Sequence, residues 1–174
     1  MIALADIPIE IERKYIIKLP DVNSLSKMPG YTKSEITQIY ISSPKNITHR
    51  VRKRVYPEKT VCTETKKIRI DKCSAYEDER EISEEKFIAI ALGQKEGTLP
   101  VKKVRHTFSY VGKTVEIDVY PNWKNTAVLE VELESREERV SLPDFITVVR
   151  DVTGDRRYSN ASMAISFPDE ITDV

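Results

Sequence analysis

Residues 10 to 14 read Glu10-Ile11-Glu12-Arg13-Lys14, which sets two carboxylates and an ammonium at every second position of a strand-like run, Ile7 to Leu19. Period two sends Glu10, Glu12 and Lys14 to one face of a β-strand and Ile9 and Ile11 to the other. Carboxylate oxygens are donors for hard divalent cations, and Arg and Lys are partners for phosphate. The same alternation returns along the chain. Glu77, Glu79 and Glu81 share one strand face, Glu116 and Asp118 another, and Glu130, Glu132 and Glu134 a third. Basic ladders stand against them: Arg50, Arg52 and Arg54, then Lys66, then Lys103 with Arg105.

A single charged strand face is ordinarily a solvated one. Several ladders in one small chain read differently, because neighbouring like charges repel and ordinary surfaces intersperse the signs. A sheet closed with its apolar face outward would bring the ladders into a lumen, where they need counter-charges. Divalent cations would satisfy the carboxylates, and a polyanion would satisfy the Arg and Lys side chains. His and Cys are nearly absent from these faces, so the donors select Mg2+ or Mn2+. No Ser-His-Asp or Cys-His set stands out. His49 and His106 read as structural or gate residues.

Composition narrows the classes. The 174 residues suit one good-sized domain, and Lys plus Arg equal Asp plus Glu at 28 each. That balance supplies no net field to attract nucleic acid or a membrane surface, so any anion site is local. Charged residues make up 32% of the chain and Gly numbers only 5, against both disorder and a Gly-rich phosphate loop. The first twenty residues lack an apolar core run, and no stretch of about 18 apolar residues reads as a span. A soluble, cytoplasmic protein with no membrane partner is expected. Cys62 and Cys73 read as reduced structural thiols.

The elements that must position these side chains are mostly strands. After the first, Asp21 to Met28 reads as a short helix, and Ile36–Ser42 with Ile47–Val55 as paired strands about the turn Ser43-Pro44-Lys45-Asn46. Val61–Ile70 and Ala75–Ile82 form the next hairpin. Ser83 caps a helix that Gly93 ends. Strands follow over Val101–Val111, Lys113–Tyr120 and Val128–Ser135, then a helix from Leu142 to Val149 and a closing segment Arg157–Met163. About eight strands and few helices predict an antiparallel barrel or a strongly curved sheet.

The ordered motifs resemble those of the CYTH superfamily, the triphosphate tunnel metalloenzymes. Glu10 to Lys14 is similar to its E-x-E-x-K signature, Arg50-Val51-Arg52 to its R-x-R strand, and Lys66 stands for its T-x-K lysine. Glu77 and Glu79 resemble the E-x-E hairpin, Lys103-Val104-Arg105 K-x-R, Glu116-Ile117-Asp118 E-x-D, and Glu130 to Glu134 E-x-E-x-E. Val152 to Asp155 with Arg156 and Arg157 resembles the closing V-T-G-D segment and its basic plug.

The resemblance implies a single 1–174 tunnel domain, α+β but mainly β, built as an eight-stranded antiparallel closed barrel with short helices outside. Lys14, Arg50, Arg52, Lys66, Lys103 and Arg105 would grip phosphate, with Arg156 or Arg157 reaching in. Glu10, Glu130 and Glu132 would hold a substrate-bound Mg2+ or Mn2+. Glu12, Glu79 and Asp118 would position a second metal or the attacking water beside Lys14. The activity implied is metal-dependent hydrolysis of a small triphosphate, inorganic tripolyphosphate first and thiamine or nucleoside triphosphate next. The alternatives are a class IV-type adenylate cyclase and a non-catalytic polyphosphate- or nucleotide-binding module. An RNA 5′-triphosphate end is disfavoured by the neutral charge, and a homodimer is expected if the helices leave the outer face bare. Two departures from the pattern stand out: Ala75 sits where several relatives have Arg, and Arg54 to Thr60 lengthens a hairpin.

Overall fold

Alternating side chains make the strands, and which face is greasy decides how they close. We describe the protein from a computed structural model, in which residues 8–171 are described; Ile7, at the start of the first expected strand, lies outside them. The elements are β1 (Ile9–Lys18), α1 (Val22–Ser26), β2 (Thr32–Ile41), β3 (Thr48–Val55), β4 (Thr60–Arg69), β5 (Ser74–Ile82), α2 (Glu84–Ala91), β6 (Val101–Tyr110), β7 (Lys113–Val119), β8 (Thr126–Glu132), β9 (Val148–Asp151) and α3 (Asn160–Met163). Neighbours run β5-β4-β3-β2-β6-β7-β8-β1, every adjacent pair is antiparallel, and β1 returns to β5 through Ile9 to Ile11. The sheet is thereby a closed eight-stranded barrel with β9 as an extra strand.

The apolar faces point outward and are covered by the chain itself. On one side Ile17, Phe108, Val115, Ile117, Leu129 and Val131 pack under Leu25 of α1 and Leu142 and Ile146 of a following segment. On another, Ile41, Val51 and Cys62 pack under Phe87 of α2. Ser83 caps α2, its Oγ accepting from Lys86 N at 3.2 Å, and Asp21 caps α1 in the same way at 3.1 Å. A third core lies at one end of the barrel. There Ile16, Tyr40, Val101, Tyr120 and Val128 meet Trp123, Tyr158 and Met163, so the C-terminal segment plugs that end.

One expected element changes type. Leu142 to Val149 is not a helix: Pro143 interrupts it, and the β-branched run Thr147-Val148-Val149 enters β9. The cause is an edge. β1 outruns β5 beyond Ile11, and its exposed backbone groups take β9 through Tyr15 to Ile17 instead. The closing segment, expected as one piece, is a 3-10 turn (Arg156–Tyr158) followed by α3.

The β6–β7 hairpin turns on Val111 and Gly112, both with positive φ, at 48° and 72°. A β-branched residue is strained there, and Asn is the residue such a two-residue turn favours. Val111 is also exposed, so nothing is lost by removing it. Val111→Asn should raise the unfolding free energy by about 1 kcal/mol in urea denaturation; a lower stability would show that the turn is not strained.

Candidate active site

The inward faces of β1, β3, β4, β5, β7 and β8 line one cavity of about 690 Å³. β1 contributes Glu10, Glu12 and Lys14, as period two requires. β3 adds Arg50, Arg52 and Arg54, β5 adds Glu77 and Glu79, and β7 and β8 add Glu116, Glu130 and Glu132.

A buried network forms the floor. Arg105 lies on Asp118 with two bonds, Nε to Oδ1 at 2.6 Å and Nη2 to Oδ2 at 2.8 Å, and Lys103 Nζ meets Asp118 Oδ2 at 2.5 Å. Arg105 also reaches Glu116 and, at 3.1 Å, Glu130. Glu130 in turn binds Lys14 at 2.8 Å. Burial alone would raise Glu130 and lower Lys14. Their mutual attraction wins, leaving Glu130 well below the usual carboxylate range and Lys14 above the usual ammonium range. Both are therefore charged.

A second network crosses β1, β4 and β5. Lys67 pairs with Glu10 and lies 3.1 Å from Glu77, and Arg50 lies 3.5 Å from Glu77. Thr65 Oγ1 donates to Glu79 at 2.7 Å.

Two charged groups stand out for their weak ion pairing. Arg52 makes only a 3.8 Å approach to Glu79, and its buried Nε has no partner. Burial, then Arg50 and Arg105, push its guanidinium down to about 10. Glu132 has no ion pair among the described residues. Burial, then Glu116 and Glu12, raise its carboxyl, and Glu12 stands directly opposite it across β1 and β8. The lumen thus holds a guanidinium with one distant anion, Glu79, and a carboxylate, Glu132, with no ion pair among the described residues.

Most expected site residues meet here: Glu10, Glu12, Lys14, Arg50, Arg52, Glu79, Arg105, Glu130, Glu132 and Arg156 all reach the cavity. Four do not. Lys66 is exposed on the outer face, because inward parity on β4 runs through Thr65 and Lys67. Arg157 turns to solvent and binds Asp155. Lys103 and Asp118 are sealed below the cavity by their contacts with each other and with Arg105. Lys67, Glu77 and Glu116 are among the lumen residues that went unassigned, and Thr65-x-Lys67 carried the signal for the first. The histidines lie outside the lumen. His49 meets Glu64 at 2.9 Å, and His106 meets Tyr31 Oη at 2.9 Å.

Among the described residues, no three His, Cys, Asp or Glu side chains are gathered as they stand to hold a metal ion. The donors are nevertheless all oxygens, and the mutual repulsion of Glu12, Glu116 and Glu132 is what a hard divalent cation would relieve. No helix among the described residues is long and apolar enough to cross a membrane.

No family model matches the sequence, and no curated protein matches it. Solved structures do. The inorganic triphosphatase NE1496 is 25% identical with a TM-score of 0.57, over 97% of this chain and 99% of that one. A conserved hypothetical protein from Pyrococcus furiosus is 25% identical with a TM-score of 0.56, over 74% of this chain and 80% of that one. HpAC1 from Hippeastrum, assigned as an adenylyl cyclase and found to have a dominant triphosphatase activity, shares the fold at 15% identity and a TM-score of 0.52, over 73% of this chain and 81% of that one.

Burial, together with Glu12 and Glu77 and against the pull of Lys67, pushes the Glu10 carboxyl up from 4.5 to about 7. Between those values the folded protein keeps a proton that the unfolded chain has lost. Glu10 therefore contributes stability that is fully present below pH 4.5 and lost as pH rises through 7. With metal chelated, urea denaturation should show Glu10→Gln gaining on the wild type across that window. A difference that does not change with pH would place the Glu10 carboxyl in an ordinary environment.

Proposed function

We infer the activity from the following premise: the eight-stranded antiparallel barrel and its structural neighbours are consistent with the CYTH superfamily, the triphosphate tunnel metalloenzymes. We propose that this chain hydrolyses the terminal phosphoanhydride of a small triphosphate in its lumen, with inorganic tripolyphosphate the first substrate. The observation that carries this reading is the buried, unpartnered guanidinium edge of Arg52 among other cations, which calls for a polyanion at that point. Support for an inorganic chain comes from the lining, where the one aromatic side chain among the described residues, Tyr40 of β2, is buried against the plug and offers no platform for a base.

Arg50, Arg52 and Lys67 would grip phosphate oxygens from β3 and β4, and Lys14, kept protonated by Glu130 and Glu12, would do so from β1. Glu12, Glu132 and Glu116 would hold Mg2+ or Mn2+, which when bound neutralises phosphoryl charge and lowers the pKa of water. Glu79, whose ion-pair approaches are both 3.8 Å, is the carboxylate free to orient the attacking water and take its proton. Water adds to the terminal phosphorus and gives its proton to Glu79, the bridging P–O bond breaks with pyrophosphate as the leaving group, and the attacked phosphorus is released as orthophosphate. Asp118 acts at one remove, by holding Arg105 in place. Catalysis of this kind is positioning and charge neutralisation, with no covalent intermediate needed.

The test is turnover of tripolyphosphate, thiamine triphosphate and ATP with Mg2+ or Mn2+, following phosphate, pyrophosphate and cyclic AMP. Phosphate from tripolyphosphate supports the proposal, whereas pyrophosphate with cyclic AMP from ATP, or tight binding without turnover, overturns it. Arg52→Ala should raise KM by ten-fold or more, as loss of a charged hydrogen bond worth about 1.5–3 kcal/mol requires. Lys67→Ala should weaken turnover strongly and Lys66→Ala hardly at all. The reverse order would mean that β4 presents its other face.

A further inference from the structure

At Lys14 the first strand changes neighbours. β5 pairs with β1 only as far as Ile11↔Ser74, and β9 takes up the same edge from Tyr15↔Asp151. Backbone groups along a strand alternate between its two edges. On this edge Glu12 N still reaches the turn between β4 and β5, donating to Cys73 O at 2.9 Å. Lys14 comes next on the same edge and falls in the gap between the two neighbouring strands. Its N–H would be an unpaired donor in a part-buried wall, which a fold does not leave unanswered.

A side chain fills the gap. Thr153 Oγ1 accepts from Lys14 N at 3.0 Å and donates to Lys14 O at 3.3 Å, while Val152 N donates to the same carbonyl at 2.9 Å. One hydroxyl thus supplies both the acceptor and a donor that a strand partner would bring. Thr153 is itself fixed from two sides. Its N–H donates to Asp151 Oδ1 at 2.8 Å, and Asp155 N donates to Val152 O at 3.0 Å, closing a tight turn over Val152 to Asp155. Gly154 takes φ 78° in that turn, a value glycine adopts without strain. Val152 is anchored in the plug core, and a Cβ on Gly154 would lie 2.9 Å from Lys72 Cβ and 3.1 Å from Lys72 O. The turn is therefore pressed against the one between β4 and β5, with no room for a side chain between them.

What this turn holds is a residue of the lumen. Lys14 Nζ lies 2.8 Å from Glu130 and 3.6 Å from Glu12, and β8 secures only the other edge of its backbone, at Lys14↔Glu130. A long side chain amplifies any tilt of the backbone that carries it, and a misplacement of about 1 Å in a gripping group costs up to about 100-fold in rate. We propose that Thr153 is the positioning residue for Lys14: its hydroxyl replaces the missing strand partner and so aims the Lys14 ammonium at substrate phosphate. The proposal rests on the triphosphatase reading above and adds to it a residue that touches no substrate. Thr153 is not part of the lining of the main cavity, so its effect on a bound phosphate passes through Lys14.

Calorimetric binding of tripolyphosphate to the full chain, with metal chelated so that no turnover occurs, tests this in a double-mutant cycle. Thr153→Val keeps the shape and removes the hydroxyl, and should weaken binding about five-fold or more. Thr153→Ser keeps the hydroxyl and should stay within about two-fold of the wild type. In a Lys14→Gln background the loss on adding Thr153→Val should fall below about two-fold, whereas in an Arg52→Ala background it should remain about five-fold or more. Equal losses in those two backgrounds, or no loss in the wild type, overturn the proposal, because a merely structural residue acts on both backgrounds alike. Thr153→Ala removes the same hydroxyl from a half-buried position without adding a methyl, and as the second variant it should match Thr153→Val. Hydrogen exchange of the Lys14 amide in the ligand-free protein reads the hydroxyl bond with no substrate present. It should be about ten-fold faster in Thr153→Val and Thr153→Ala, and an unchanged rate overturns the hold on Lys14. A wild type that binds tripolyphosphate without releasing phosphate counts against hydrolysis alone, and one that does not bind it counts against the substrate, while amide exchange still decides for Thr153.

Discussion

The paired hydrogen bonds between Arg105 and Asp118 are the contact on which the interior depends. Both residues are buried, and an isolated charge at that depth would cost several kcal/mol. The pair is extended by Lys103 on one side and by Glu130 and Lys14 on the other, so charges of alternating sign link β7, β6, β8 and β1. Remove Asp118, and Lys103 is left facing Arg105 with no ion pair of its own among the described residues. The network explains how a barrel can carry its charges inside and its apolar residues outside. It also explains why Asp118 and Lys103 are not open to a ligand: both are buried and paired with each other.

What that floor leaves over defines the site. Arg52 and Glu132 sit where the internal pairing runs out, and beside each the charges of its own sign outweigh those of the opposite sign. Folding holds them there because the strand registers are set by the outer cores, in which Ile17, Ile117 and Leu129 are fully buried. Charge fixed in advance around a lumen needs little reorganisation when a charged ligand arrives. The under-satisfaction is thus a consequence of register, and the outer cores offset its cost.

Period two made much of this legible in the sequence. Glu10, Glu12 and Lys14 lie inward together because a strand permits nothing else once Ile11 is on the outer side. The same parity argument, carried one residue out of step, put Lys66 where Lys67 belongs. Two adjacent lysines are equivalent in composition, and only the phase shared with Thr65 separates them. Arg156 and Arg157 pose the same problem in a turn, where Asp155 draws Arg157 outward. Asp118 could not be separated from a metal ligand, since a carboxylate facing inward has the same sequence pattern whether it meets an ion or an Arg. β9 was hidden for a different reason: it answers an edge that exists only once β1 and β5 have met out of register.

The plugged end ties this geometry to the tail of the chain. Glu170 accepts from the backbone amides of Lys124, Asn125 and Thr126, and Trp123 Nε1 donates to the Pro168 carbonyl at 3.0 Å. Those bonds fix the tail across the barrel end, where Phe167 packs edge-on to Tyr120 and Trp123. Tyr120 Oη in turn donates to Asn160 Oδ1 at 2.7 Å, which sets α3 and with it Ser159 and Ser162 against the cavity. One segment therefore completes an apolar core on its inner side and a polar wall on the other. Because the same bonds hold both, the tunnel stays open beside the plug, under Lys45 and Arg69, while the side facing Tyr120 and Val128 is closed.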